Sequence, residues 1–133
     1  MSNCARRAVA GSKARRMAAA GKKIARQPIG PPKPGCAVIA HLREPREKLW
    51  GFLLGMDSSG AWLRGIDLGS FEDWARQEAS GAEAGIGLST LFVPFLRVEK
   101  LVLDEGAVGA PSMSERFEAM AGFPAERSAG LEG

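Results

Sequence analysis

The sequence predicts a mainly β domain: a small, strongly bent five-stranded antiparallel barrel with a short inserted helix and a short C-terminal helix. Three observations predict it. Residues 36–104 hold five apolar runs of strand length, separated by turn residues and one helical stretch. The second run is apolar on both faces, which suits a strand in a sharply curved sheet. Gly51, Gly55 and Gly65 interrupt strand interiors, and such glycines mark sharp bends or close backbone approach.

The first strand is expected over 36–43, where Cys36, Val38, Ala40 and Leu42 alternate with Ala37, Ile39, His41 and Arg43. Glu44-Pro45-Arg46-Glu47 is a polar turn. The second strand covers 48–56, with Trp50, Phe52, Leu54 and Met56 on one face and Leu49, Gly51, Leu53 and Gly55 on the other. Asp57-Ser58-Ser59-Gly60 is a hairpin turn, because Gly60 is free to take positive φ. The third strand covers 61–68.

Gly69 then breaks the pattern. Ser70 with Asp73 three residues later reads as a capping box, and Phe71, Trp74 and Ala75 share one helical face. A short amphipathic helix is expected from Phe71 to Ala79, docked through Trp74, within a helical insertion over 70–80. Residues 80–87 are small and glycine-rich and read as a flexible connector. The fourth strand covers 88–95 and the fifth 97–104. Pro94 lacks an N–H for a ladder and so marks an edge or a turn between them. Beyond the loop 106–111, Ser112 and Glu115 repeat the capping-box pattern, with Met113, Phe117 and Met120 on one face and Gly122 as the C-cap. This sets a helix over 113–121, followed by a loosely held C-terminus.

Charge divides the chain more sharply than hydropathy does. Of 18 Lys and Arg, nine lie in residues 1–35, which hold no acid; the other nine share residues 36–133 with all 15 acids. A tail of net charge +9 thus precedes a body of −6, and the overall +3 describes neither part. The tail ends in Gln27-Pro28-Ile29-Gly30-Pro31-Pro32-Lys33-Pro34-Gly35, whose prolines favour an extended linker. Residues 1–35 are therefore read as a basic disordered tail and linker, 36–105 as the barrel with its insertion, and 106–133 as a loop, helix and loose end. A flexible arm carrying Arg15, Arg16, Lys22 and Lys23 among its cations binds polyanions through counterion release. No apolar run approaches the ~20 residues of a membrane span. A cytoplasmic protein with Cys4 and Cys36 as free thiols is expected.

Catalytic patterns are weak. His41 is the single histidine, so a zinc site lacks ligands and a nucleophile lacks a choice of base. The segment 81–87 follows a helix and has no G-K-[ST] ending, so it is not a phosphate loop. Asp57, Asp67, Glu72, Asp73, Asp104 and Glu105 lie at turns or helix starts, where carboxylates cap backbone amides. Trp50 and Trp62 are expected as cross-strand neighbours, and the tryptophans as core rather than a base-stacking platform. No enzyme, cofactor or metal is expected.

Gly51-Phe52-Leu53-Leu54-Gly55-Met56-Asp57 resembles the first signature of the Sm-like (Sm/Hfq-type) small β-barrel family, G-x-L-x-G-hydrophobic-D. Val38-Ile39-Ala40-His41-Leu42 resembles that family's first strand, and residues 91–103 its closing strand-turn-strand. The resemblance covers residues 36–104. It implies an RNA-directed, non-enzymatic protein, with Arg97, His41, Arg64 and Asp57 at matching positions, and homo-oligomers formed through edge strands. The chain departs from the pattern at two points. Its one Asn is Asn3, so the family's base-holding Asn has no counterpart, and Leu96-Arg97-Val98 keeps the Arg of the second signature without its Gly. The other function expected is a protein–protein interaction or assembly module on an SH3-like barrel.

Overall fold

The computed structural model describes residues 33–81 and 85–131. The tail, with Arg15, Arg16, Lys22 and Lys23, lies outside the described residues, as does the middle of the 81–87 connector.

Five strands form one antiparallel sheet: β1 (Ala37–Leu42), β2 (Glu47–Met56), β3 (Gly60–Asp67), β4 (Ser89–Pro94) and β5 (Val98–Leu103). Their order is β4-β3-β2-β1-β5. Three helices accompany them: α1 (Phe71–Ser80), α2 (Met113–Ala121) and α3 (Ala125–Ala129). The strands follow the alternation in the sequence to within a residue or two.

The strand order bends the sheet. β4 and β5 are its two edges, which in a flat sheet lie about 19 Å apart. Only the 3-10 turn Phe95–Arg97 joins them, and the chain from Pro94 to Val98 reaches at most about 14 Å. The sheet must therefore roll until its edges approach. The turn is fastened at both ends: Phe95 N–H donates to Ser59 O at 2.9 Å, and Arg43 N–H donates to Arg97 O at 2.8 Å. β4 and β5 form no ladder with each other, and the sheet is not closed.

Each face of the sheet buries its own cluster. One gathers Val38, Ala40, Leu42, Leu53, Ala61, Leu63 and Val93. The other sets Trp50, Phe52 and Ile66 of the sheet against Phe71, Trp74 and Ala75 of α1, Phe117 of α2, and Ala125 and Ala129 of α3. β2 is thus apolar on both sides because helices cover one of them, as well as because the sheet bends. A bulge between Leu53 and Gly55 shifts the register. It moves Leu54 and Met56 out of line with Trp50 and Phe52, and both are left exposed, contrary to the simple alternation. Gly51 and Gly65 are paired across β2 and β3. A Cβ on Gly65 would stand 2.4 Å from Trp50 O, so these glycines permit the closest approach of the two strands, as expected. Gly55 has no such crowding; it belongs to the bulge.

The helical layer is organised by aromatic rings and one carboxylate. Trp50 meets Phe71 and Phe52 edge-on at 5.0 and 5.1 Å between centroids. Trp74 stacks on Phe117 at 4.6 Å, and Phe117 meets Phe123 edge-on at 5.6 Å. Trp50 is fully buried, so its indole N–H requires a partner. Asp104, just past β5, accepts it at 3.0 Å. The same carboxylate accepts the N–H groups of Met113 and Ser114 at 2.8 and 2.9 Å and the Ser114 hydroxyl at 2.9 Å, closing the start of α2. There the capping box of Ser112 and Glu115 is present as expected, and Gly122 is the left-handed C-cap.

Four expectations are corrected. Ser70 makes no side-chain cap on α1; Leu68–Ser70 is a 3-10 turn capped by Asp67 through the Gly69 N–H, which already occupies that position. The C-terminus is not loose: Pro124 starts α3, whose Ala125 and Ala129 are buried, and the Ser128 hydroxyl donates to Glu78 of α1 at 2.5 Å. Trp50 and Trp62 are not neighbours, since Trp50 pairs with Ile66 and Trp62 with Gly55. Cys36 is disulfide-bonded rather than a free thiol.

Replacing Asp104 with Ala strands the Trp50 indole and uncaps α2. Urea unfolding should show a loss of about 2–4 kcal/mol. Asp104→Asn should lose less, because its amide can still accept on one side while its NH2 faces a donor on the other. Gly65→Ala should cost about 1–3 kcal/mol through forced separation of β2 and β3.

Candidate nucleic-acid interface

The candidate residues fall in two places. His41 and Arg97 lie toward the β1–β2 turn, where Leu42 pairs with Val98. Asp57 and Arg64 lie on the β2–β3 hairpin. Arg64 pairs with Phe52 and His41 with Lys48, two strands and four residues of β2 apart, or roughly 16 Å. The four do not converge on one pocket.

Arg97 acts as a clasp. Its Nε donates to Arg43 O at 3.1 Å and one terminal nitrogen to Pro45 O at 2.7 Å, while Glu47 stands 3.9 Å away. Arg43 Nε returns a bond to Leu96 O at 3.2 Å. The guanidinium fork thus binds the inter-edge turn to the β1–β2 turn, and much of its donor capacity is used within the fold.

His41 is the centre of a basic row. Its register partners are Lys48 on β2 and Lys100 on β5. Burial, then Lys100, then Lys48 lower its pKa below the ordinary 6.5, with Glu99 opposing. The imidazole is therefore neutral at pH 7. An open depression beside Lys48 is lined by Arg46, Glu47, Asp67, Leu68 and Gly69 as well, so the charges there are mixed.

Asp57 is fully exposed and shapes its own turn. It accepts the Ser59 hydroxyl at 2.7 Å, the Ser59 N–H at 2.8 Å and the Gly60 N–H at 3.3 Å. These bonds, the hydroxyl first, hold its carboxyl below the ordinary 3.8. Four of the other carboxylates singled out in the sequence are likewise engaged. Asp67 and Asp104 cap helical turns, and Glu72 and Asp73 pair with Arg76. Among the described residues, no three His, Cys, Asp or Glu stand together as a metal site.

The outer side of β3 and β4 holds residues that the sequence did not bring forward together. Trp62 pairs with Phe92 and Arg64 with Thr90. The two rings touch with centroids 5.3 Å apart, and Arg64 donates to the Thr90 hydroxyl at 3.3 Å. Trp62 is 48% exposed and Phe92 38%, whereas Trp50 and Trp74 are sealed in the core. The expectation of core tryptophans thus holds for two and fails for Trp62. Phe92 and Thr90 were missed because α1 separates β3 from β4, and no hairpin turn fixes their register in the sequence.

Comparison with protein-family models, curated proteins and solved structures finds no match for this chain.

The pH dependence follows from His41 and Asp57. As pH falls below about 6.5, the unfolded chain takes up a proton that folded His41 resists, so stability declines over that window. Thermal midpoints should fall between about pH 7.5 and 5.5, and His41→Gln should flatten the slope. Asp57 acts in a separate range: its contribution is present above 3.8 and lost only as pH falls through its lowered value. A slope above pH 5.5 that His41→Gln leaves unchanged would contradict this assignment.

Proposed function

We infer that the chain is a non-enzymatic, Sm-like nucleic-acid-associated protein directed to RNA. The observation that carries this reading is the charge division: nine cations and no acid in residues 1–35, joined to a body of −6. An arm of that composition draws in polyanions whatever the fold behind it. The fold adds support. The order β4-β3-β2-β1-β5, with a single 3-10 turn between the two edges, is the arrangement that a small bent barrel requires, and the Gly51–Asp57 signature ends β2 and enters the β2–β3 turn. The unpaired outer edges of β4 and β5 suit a homo-oligomer built by strand addition. No described helix is long and apolar enough to cross a membrane.

A second reading, a protein-interaction module on an SH3-like barrel, is favoured by one observation. Arg97, the matching position for RNA contact, spends its guanidinium on the carbonyls of Arg43 and Pro45.

Fluorescent single-stranded RNA separates the two when titrated against the full chain and against a variant with its nine tail cations changed to Gln. Affinity of the full chain should fall steeply between ~50 mM and ~0.2 M salt, with a log–log slope of about −0.7 per phosphate neutralised. The neutralised variant should lose most of that slope. If the full chain binds no RNA even at low salt, the RNA reading fails and the interaction module stands.

A further inference from the structure

Trp62 is the one tryptophan this fold leaves in solvent, and its surroundings are built rather than accidental. On the β4 side it leans on Phe92. Phe92 is held in turn by Gly60: a Cβ there would lie 2.6 Å from the ring, so the absence of a side chain is what seats the phenyl group. On the β2 side the register partner of Trp62 is Gly55, and the space where its Cβ would stand is open to 4 Å. The indole therefore has a ring on one flank and open space over Gly55 on the other. Next along β3 is Arg64, half-buried, bonded to the neutral Thr90 hydroxyl and in no ion pair among the described residues. Arg76, Arg97 and Arg116 each have an acid within 4 Å, whereas Arg43, Arg46 and Arg127, like Arg64, are in no ion pair among the described residues. A flat apolar ring beside an uncompensated cation fits a ligand that alternates planar rings with negative charge.

The tail points to the same ligand. The fold begins where Gly35 N–H donates to Leu53 O and Leu53 N–H donates to Cys36 O. The segment carrying nine cations thus joins β2 two residues from Gly55, on the strand next to Trp62. We propose that Trp62 and Phe92 form a base-stacking platform for single-stranded nucleic acid, with a base entering the open space over Gly55 beside Arg64. This rests on the nucleic-acid reading above and adds to it a site on the folded body.

The test uses the full chain and a short oligouridine RNA at low salt, followed by tryptophan fluorescence and by anisotropy of a labelled strand. Trp50 and Trp74 are buried, so a stacked base should quench the exposed Trp62 and red-edge emission should fall. Trp62→Ala should weaken binding by about 5- to 100-fold and remove the quench, with an unchanged far-ultraviolet circular dichroism spectrum. Gly55→Leu, which fills that open space and keeps the indole, should weaken binding similarly. Polyphosphate, an anion without bases, should compete for the tail yet leave Trp62 unquenched. Binding of RNA with no quench, and with equal affinity for wild type and Trp62→Ala, overturns the platform and leaves the tail-borne function intact. Absence of RNA binding at any salt overturns both. Quenching of Trp62 by a proline-rich peptide and not by RNA also overturns it, in favour of protein recognition.

Discussion

The carboxylate of Asp104 joins three parts of this molecule through hydrogen bonds that the aromatic packing between them does not supply. It ends β5, accepts the indole of Trp50 from the middle of β2, and receives the first free amides of α2. Each contact meets a need created elsewhere. A buried indole N–H without an acceptor is costly, and a helix start exposes amides that nothing within the helix can satisfy. An acid at this one place settles both, and so fixes where α2 lies against the sheet. From that position Phe117 reaches Trp74, and α3 follows onto Glu78 through Ser128.

The second constraint is topological. Consecutive strands at opposite edges, joined by three residues, leave the sheet no flat conformation. The glycine pair Gly51 and Gly65 lets β2 and β3 come close enough to bend, and the clasp of Arg97 on the β1–β2 turn holds the joined edges. Rolling produces an inner face that must be filled and an outer face that would be left bare. The inner face is filled by small and branched side chains such as Ala40, Ala61 and Val38. The outer face receives the large aromatics, because there the helices leave room for them.

Strand positions were readable because alternation in this chain is strong and the turns carry Pro, Gly and Asp. The α2 capping box and its glycine stop were readable for the same reason: the signal is local. What escaped was long-range or compensatory. The bulge after Leu53 is a property of the β2–β3 pair, not of β2, and it alone decides that Leu54 and Met56 leave the core. Ser70 has the residue type of a cap, but Asp67 already caps the start of the 3-10 turn that leads into α1. α3 is short and alanine-rich, so its burial depends on α1 being beneath it. Of the candidate site, the positions of His41, Arg64, Asp57 and Arg97 were legible as types. Their partners were not, because the Lys48–His41–Lys100 row and the Trp62–Phe92 contact exist only once the registers are set.

β3 crosses a boundary halfway along its outer side. Ile66 at one end lies under the helices, while Trp62, four residues earlier, lies beyond their reach. The helical layer is shorter than the sheet it covers, so packing and recognition fall to different lengths of the same strand. Substitutions at the uncovered end can alter what the surface contacts without disturbing the aromatic stack that holds the domain together. A lineage carrying this fold could therefore change ligands by drift at that end alone, at constant stability.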